Sequence, residues 1–222
     1  MLEAIVFDFD GVLVDSEPLH YQAFVLIARS LGLELTFEQY VQTYIGFDDR
    51  DAFRVMLEVT GREASEAAVA ELCRKKQPAF DALAKATGEL ALPGSVELLD
   101  AAGAAGWKVA IASGATRADI DLMLGLLDRS DAFEAIVTAD DVERSKPDPA
   151  SYARAAAAIG VEPGRCLAIE DTRAGLISAT TAGLRTLAIT TSHEAGELAG
   201  DAERVIESLA GVTPEQLRAW YP

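Results

Sequence analysis

Short apolar runs that stop abruptly at polar residues set what this 222-residue chain can fold into. Residues 4–7 read AIVF and stop at Asp8-Phe9-Asp10-Gly11. Residues 108–112 (KVAIA) stop at Ser113-Gly114, and residues 166–169 (CLAI) stop at Glu170-Asp171. Runs of this length without polar alternation predict strands buried on both faces. Residues 184–189 give another strand, and residues 135–137 a weaker one before an acidic loop. Between these runs, residues 96–105, 117–127, 150–159 and 172–182 carry a helical pattern, the first with Ser95 as a candidate N-cap. Strand and helix in alternation predict an α/β fold, a Rossmann-like parallel sheet core with helices on both faces.

The alternation fails between the first strand and about residue 90. Residues 21–31, 51–60 and 63–85 all read as helix, punctuated by Gly32, Gly46, Gly61 and Gly88. The expected organisation is a sheet core from residues 1–15 and 92–222, with residues 16–91 as an inserted all-helical domain.

Half of the residues are apolar, enough for an ordinary core, and 36 acidic against 19 basic residues give a net charge of −17. Such a surface repels phosphate backbones, so nucleic acid is not an expected partner. A small anionic substrate would be captured locally, by a metal and a few cations. The two cysteines, Cys73 and Cys166, do not make a disulfide framework and read as reduced thiols. No basic-then-apolar leader and no apolar run of membrane-spanning length is visible. The expectation is a cytoplasmic protein without a membrane partner, and its oligomeric state is left open.

The chemistry-bearing residues collect where the predicted strands end. Asp8 and Asp10, two apart on an extended chain, share a face. Open parallel sheets bind ligands beyond the carboxyl ends of their strands. Two carboxylates there need a cation, a shared proton, or both. Taken alone, the tetrapeptide could be only an acidic turn. Ser113 and Gly114 stand between strand and helix, where a hydroxyl and free amides suit phosphate oxygens, although Ser-Gly also serves turns. Lys146 in Ser145-Lys146-Pro147-Asp148-Pro149 is either aimed by stiff flanking prolines or an ordinary surface lysine. Glu170-Asp171 precedes a helix, where Asp171 could equally serve as an N-cap. The joint pattern is far more specific than its members, because every one of them falls at the same rim of one sheet.

With these residues in order, the sequence resembles the haloacid dehalogenase superfamily. Asp8 to Val12 (DFDGV), the Ser113 turn, Lys146 in SKPDP and Glu170-Asp171 in IEDTRAG look like its four motifs. The helical insert looks like the α-helical cap of the subgroup with β-phosphoglucomutase and small-molecule phosphatases. The resemblance covers essentially the whole chain. It implies Asp8 as nucleophile through an aspartyl-phosphate, Asp10 as general acid and base, and Lys146 and Ser113 as groups that bind the transferring phosphoryl. It implies Mg2+ held by Asp8, the Asp10 backbone carbonyl and Asp171, with Glu170 assisting. For the cap it implies substrate contacts from His20, Arg50 and Lys76. Arg50 stands one place from the arginine expected in a mutase, and Gln77 stands where an asparagine would be. A C–Cl dehalogenase is the wrong chemistry, since it has no use for an acid at Asp10 or for magnesium.

The reading is therefore a Mg-dependent phosphatase acting on a small phosphorylated metabolite, with sugar phosphates among the candidates. A phosphosugar mutase is the alternative. A non-catalytic binding protein is disfavoured, because a binding module need not keep Asp8, Asp10, Ser113, Lys146 and Asp171 together.

Overall fold

A computed structural model describes residues 1–44, 47–88 and 90–222. Gly46, expected to punctuate the helical stretch, lies outside the described residues. By internal packing the chain divides into two compact units, Met1–Asp15 with Leu90–Pro222, and Ser16–Glu89.

The first unit is built on β1 (Ala4–Phe7), β2 (Lys108–Ala112), β3 (Ala135–Val137), β4 (Cys166–Glu170), β5 (Arg185–Ile189) and β6 (Arg204–Ile206). They form one sheet in the order β3-β2-β1-β4-β5-β6, with every pairing parallel. β1 lies at the centre and is wholly buried, as its unbroken apolar run requires. The register places Phe7 beside both Ile111 and Ile169. Asp8, Ser113 and Glu170 therefore leave the sheet at nearly one level.

Side chains alternate across the sheet. Ala4 and Val6 of β1 join Ala110, Ala112, Cys166 and Ala168 in one apolar cluster with Tyr152, Ala155, Ala156 and Ile159. The last four lie on α7 (Ala150–Ile159), which packs on β2 and β3. Small residues on the strands let this helix approach closely. α8 (Arg173–Thr181) packs on β5 and β4, and α5 (Ser95–Ala104) on β2. α6 (Arg117–Leu126) follows β2, and α9 (Ala195–Leu198) and α10 (Pro214–Trp220) close the chain. β6, α9 and α10 were not among the elements expected from the sequence.

Two expected caps differ. α5 starts at Ser95 behind Gly94, whose φ of 83° puts it in the left-handed region, and the Ser95 hydroxyl instead donates to the Leu13 carbonyl at 2.9 Å. α8 is capped by Thr172, whose hydroxyl accepts from the Gly175 amide, and not by Asp171.

The second unit contains α1 (Glu17–Ser30), α2 (Phe37–Thr43), α3 (Asp49–Val59) and α4 (Glu66–Ala86), and no strand among its described residues. Phe24, Ile27, Tyr40, Phe53, Met56 and Leu72 are among the residues of its core. Pro78 lies inside α4 without ending it. No helix among the described residues is long and apolar enough to cross a membrane.

Candidate active site

The loop after β1 is wound around one carbonyl. The amides of Leu13 and Val14 both point to Phe9 O, at 2.9 and 3.2 Å, and the Gly11 amide donates to Val14 O. Gly11 has a φ of +75°, and a Cβ on it would fall 2.0 Å from Asp171 Oδ2. Only glycine lets this loop close against Asp171. The turn leaves Asp8 buried at the end of β1, with its amide donating to Ile169 O at 2.9 Å.

Lys146 reaches this carboxylate from the loop before α7. The loop is pinned by the Ser178 hydroxyl of α8, which donates to Asp148 O at 2.6 Å, and by Asp148 Oδ1, which accepts from the Ala150 amide. The Lys146–Pro147 peptide is cis. Lys146 Nζ lies 2.8 Å from Asp8 Oδ1 and 2.6 Å from Glu170 Oε1. The Asp8 contact is an ion pair between buried groups. The aimed reading of Lys146 thus describes its geometry, and the surface-lysine reading does not.

Glu170 is wholly buried and fully engaged. Oε1 accepts from Lys146 and from the Tyr152 hydroxyl at 2.9 Å. Oε2 accepts from the amides of Asp171 and Thr172, both at 3.1 Å, and from the Thr172 hydroxyl at 3.0 Å. A Cβ at Gly175 would fall 1.7 Å from Oε1, so the first turn of α8 can pass this carboxylate only with glycine there. Five donors use the acceptor capacity of one carboxylate.

Asp171 differs. The Ser192 hydroxyl, just past β5, hydrogen-bonds Oδ2, while Oδ1 is buried and has no partner. Asp8, Glu170 and Asp171 each bring an oxygen within 4.8 Å of the others. Burial, with the Glu170 charge second, pushes the Asp8 carboxyl up to about 7, against the pull of Lys146 and with a smaller push from Asp10. Burial and the charges of Glu170 and Asp8 also raise Asp171 well above the usual carboxyl range. Lys146 is pulled down by burial, but Asp8 and Glu170 more than offset this and hold it above its ordinary value. One ammonium among three buried carboxylates leaves the site short of positive charge. A divalent cation with oxygen ligands fits that deficit and the open Asp171 Oδ1.

Ser113 is buried at the end of β2, its amide donating to Val137 O and its oxygen accepting from the Ala115 amide at 2.9 Å. Gly114 is exposed in the same turn, ahead of α6. Asp10 is half-buried in the β1 loop, and its carboxylate is not one of the three in the close cluster.

The residues expected to bind substrate from the insert lie in the second unit. Lys76 on α4 is 1% exposed and forms an ion pair with Asp49. Its Nζ is 2.8 Å from His20 Nδ1 and 4.4 Å from the Phe24 ring centroid. The ammonium donates to Nδ1, which leaves the His20 ring proton on Nε2. His20 also stacks on Phe80. His20 and Lys76 thus come together, while Arg50 is exposed on α3. Arg74 and Lys75, which precede Lys76 on α4, both face Glu71.

Tyr152, Thr172, Ser192, Gly175 and Asp49 were not singled out from the sequence. A Gly three residues past a Thr at a strand–helix junction was the one available signal, for Thr172. Tyr152, Ser192 and Asp49 meet their partners across 18, 21 and 27 residues, and nothing local marks them.

Comparison with known proteins agrees with this fold. The family described as haloacid dehalogenase-like hydrolase matches residues 5–189. Protein CbbY of Rhodobacter capsulatus is 33% identical over 222 residues, covering 97% of each chain. Validoxylamine A 7'-phosphate phosphatase of Streptomyces hygroscopicus subsp. limoneus is 30% identical, covering 96% of this chain and 96% of that protein. The crystal structure of CbbY from Rhodobacter sphaeroides in complex with phosphate is similar at a TM-score of 0.86 and 29% identity, covering 95% of this chain and 96% of that one. The chain belongs to the haloacid dehalogenase-like hydrolase family, in its subgroup with an inserted helical domain.

Proposed function

We propose that this chain hydrolyses a small phosphate monoester, with a phosphorylated sugar or sugar-like metabolite as substrate, by attack of Asp8 on phosphorus. The observation that carries the reading is the Asp8 carboxylate, buried against the Lys146 ammonium and beside the open oxygen of Asp171. Asp8 forms an O–P bond as the bond from phosphorus to the leaving oxygen breaks. Asp10 gives that oxygen a proton, then takes one from the water that cleaves the aspartyl-phosphate. Lys146 faces charge on the transferring group and opposes the rise that burial imposes on the Asp8 carboxyl. Ser113 keeps a hydroxyl proton to donate to a phosphate oxygen, because its own oxygen already accepts from Ala115.

Asp8, Asp171 and the Asp10 carbonyl would hold Mg2+, which supplies the positive charge that lets two anions meet. Glu170, saturated by five donors, acts as the anchor for Lys146. The phosphate-bound relative and the phosphatase relative support the reaction class, and a further relative, the phosphorylated carbohydrates phosphatase of Thermotoga maritima, supports a carbohydrate alcohol.

A phosphosugar mutase would need cations for a second phosphate. In the second unit Lys76 is already neutralised by Asp49, which disfavours that reading. A panel of phosphorylated sugars and related metabolites, followed as released phosphate, tests the proposal. Activity should vanish with chelator and return with magnesium. Full turnover in metal-free protein, or no turnover on any monoester, would reject it.

A further inference from the structure

Asp171 has two oxygens in unlike situations. Oδ2 is held by the Ser192 hydroxyl, and the missing side chain of Gly11 leaves room for that same oxygen. Oδ1 is buried without a partner in a side chain 1% exposed. Ser192 lies 21 residues away, on the loop after β5, and belongs to none of the four motif segments. An ionised carboxylate only accepts, so Ser192 donates.

We propose that Ser192 is a positioning residue that fixes Asp171 as a one-oxygen ligand and thereby favours Mg2+ over Ca2+. This rests on the reading of Asp171 as a metal ligand. A carboxylate with both oxygens free can swing about its terminal torsion and bind a cation through one oxygen or two. The hydrogen bond to Oδ2 takes one of that oxygen's acceptor directions and holds the carboxylate plane, so it disfavours the two-oxygen mode and restrains the swing. Mg2+ is small, keeps near-octahedral geometry and retains several waters, so it suits single-oxygen carboxylates. Ca2+ accepts more ligands and readily takes a carboxylate through both oxygens. Groups that orient a metal ligand from behind typically change metal affinity by about 10–100-fold when removed.

Metal-free protein is titrated calorimetrically with Mg2+ and separately with Ca2+, for wild type and for Ser192→Ala, Ser192→Thr, Ser192→Val and Asp171→Asn. Ser192→Ala should weaken Mg2+ binding about tenfold and Ca2+ binding much less, so that the preference narrows. Thr restores the hydroxyl and should restore the preference. Val, of the same shape without the hydroxyl, should behave as Ala and decides the matter if Ala disturbs folding. Mg2+ affinity unchanged in both Ala and Val, or Mg2+ and Ca2+ weakened equally, overturns the proposal while Asp171→Asn still abolishes binding. Binding unchanged in Asp171→Asn overturns the metal-ligand reading and this proposal with it.

Discussion

Lys146 joins a group that must react to one that must stay still. Removing it takes positive charge from Asp8 and leaves Glu170, buried to 0% exposure, without its ammonium. Lys146→Ala should therefore lower kcat by about 10²–10³-fold and also destabilise the fold by about 3 kcal/mol, as expected for a broken buried ion pair. Adding Glu170→Gln removes the unpaired charge and should recover much of the stability but none of the turnover. Urea unfolding and kcat on wild type, Lys146→Ala, Glu170→Gln and the double variant check this. Additive stability losses would show that Lys146 and Glu170 act independently. Asp8 gives a prediction of opposite sign. Its carboxyl, pushed up to about 7 in the folded chain, lies above its ordinary value of 3.8. Folding thus favours the neutral form. The stability this contributes is whole below the ordinary value and is lost as pH rises through about 7. Metal-free Asp8→Asn, neutral at every pH, should melt about 5 °C above the metal-free wild type near pH 8. The gap should close toward pH 4. Equal melting temperatures at pH 8 would contradict the burial and repulsion described at Asp8.

The strand–helix junction after β4 combines a cap with a catalytic support. The Thr172 hydroxyl accepts from the Gly175 amide to start α8 and donates to Glu170 Oε2. Thr172→Ala loses both and should cost about 1–2 kcal/mol in urea unfolding. Thr172→Ser keeps the oxygen and should cost much less. Equal losses would assign the effect to the methyl group's packing. β1, β2, β4 and β5 were legible because a strand buried on both faces needs an unbroken apolar run, and residues 4–7 and 108–112 supply one; β3, only partly buried, gave the weaker signal. α2 and α10 were passed over although each opens on a Thr answered by a Gln three residues later, Thr36 with Gln39 and Thr213 with Gln216. Those capping boxes were readable. β6 was not, because its three residues are at most half-buried at the sheet's edge and carry no apolar run.

Across the molecule, 36 acidic side chains stand against 19 basic ones, and several of the cations are committed to carboxylates. In the first unit Lys146 is shared by two carboxylates, and in the second Lys76, Arg74 and Lys75 each form an ion pair with a carboxylate. The residues bearing the proposed chemistry were legible because each follows an apolar strand directly, at Asp8, Ser113 and Glu170-Asp171. Lys146, carried by a loop, was marked only by its flanking prolines. The supports were not legible, since Tyr152 and Ser192 reach the site from elements that are remote in sequence and become neighbours only through the sheet order. The most direct test asks which atom takes the phosphoryl group. The enzyme is quenched in acid during turnover of a good substrate, reduced with borohydride, digested and mapped by mass spectrometry. An acyl phosphate on Asp8 is reduced to the corresponding alcohol, so residue 8 should carry that mass change only when substrate was present. A substrate-dependent change at another residue, or turnover with residue 8 unmodified at every quench time, would contradict attack by Asp8.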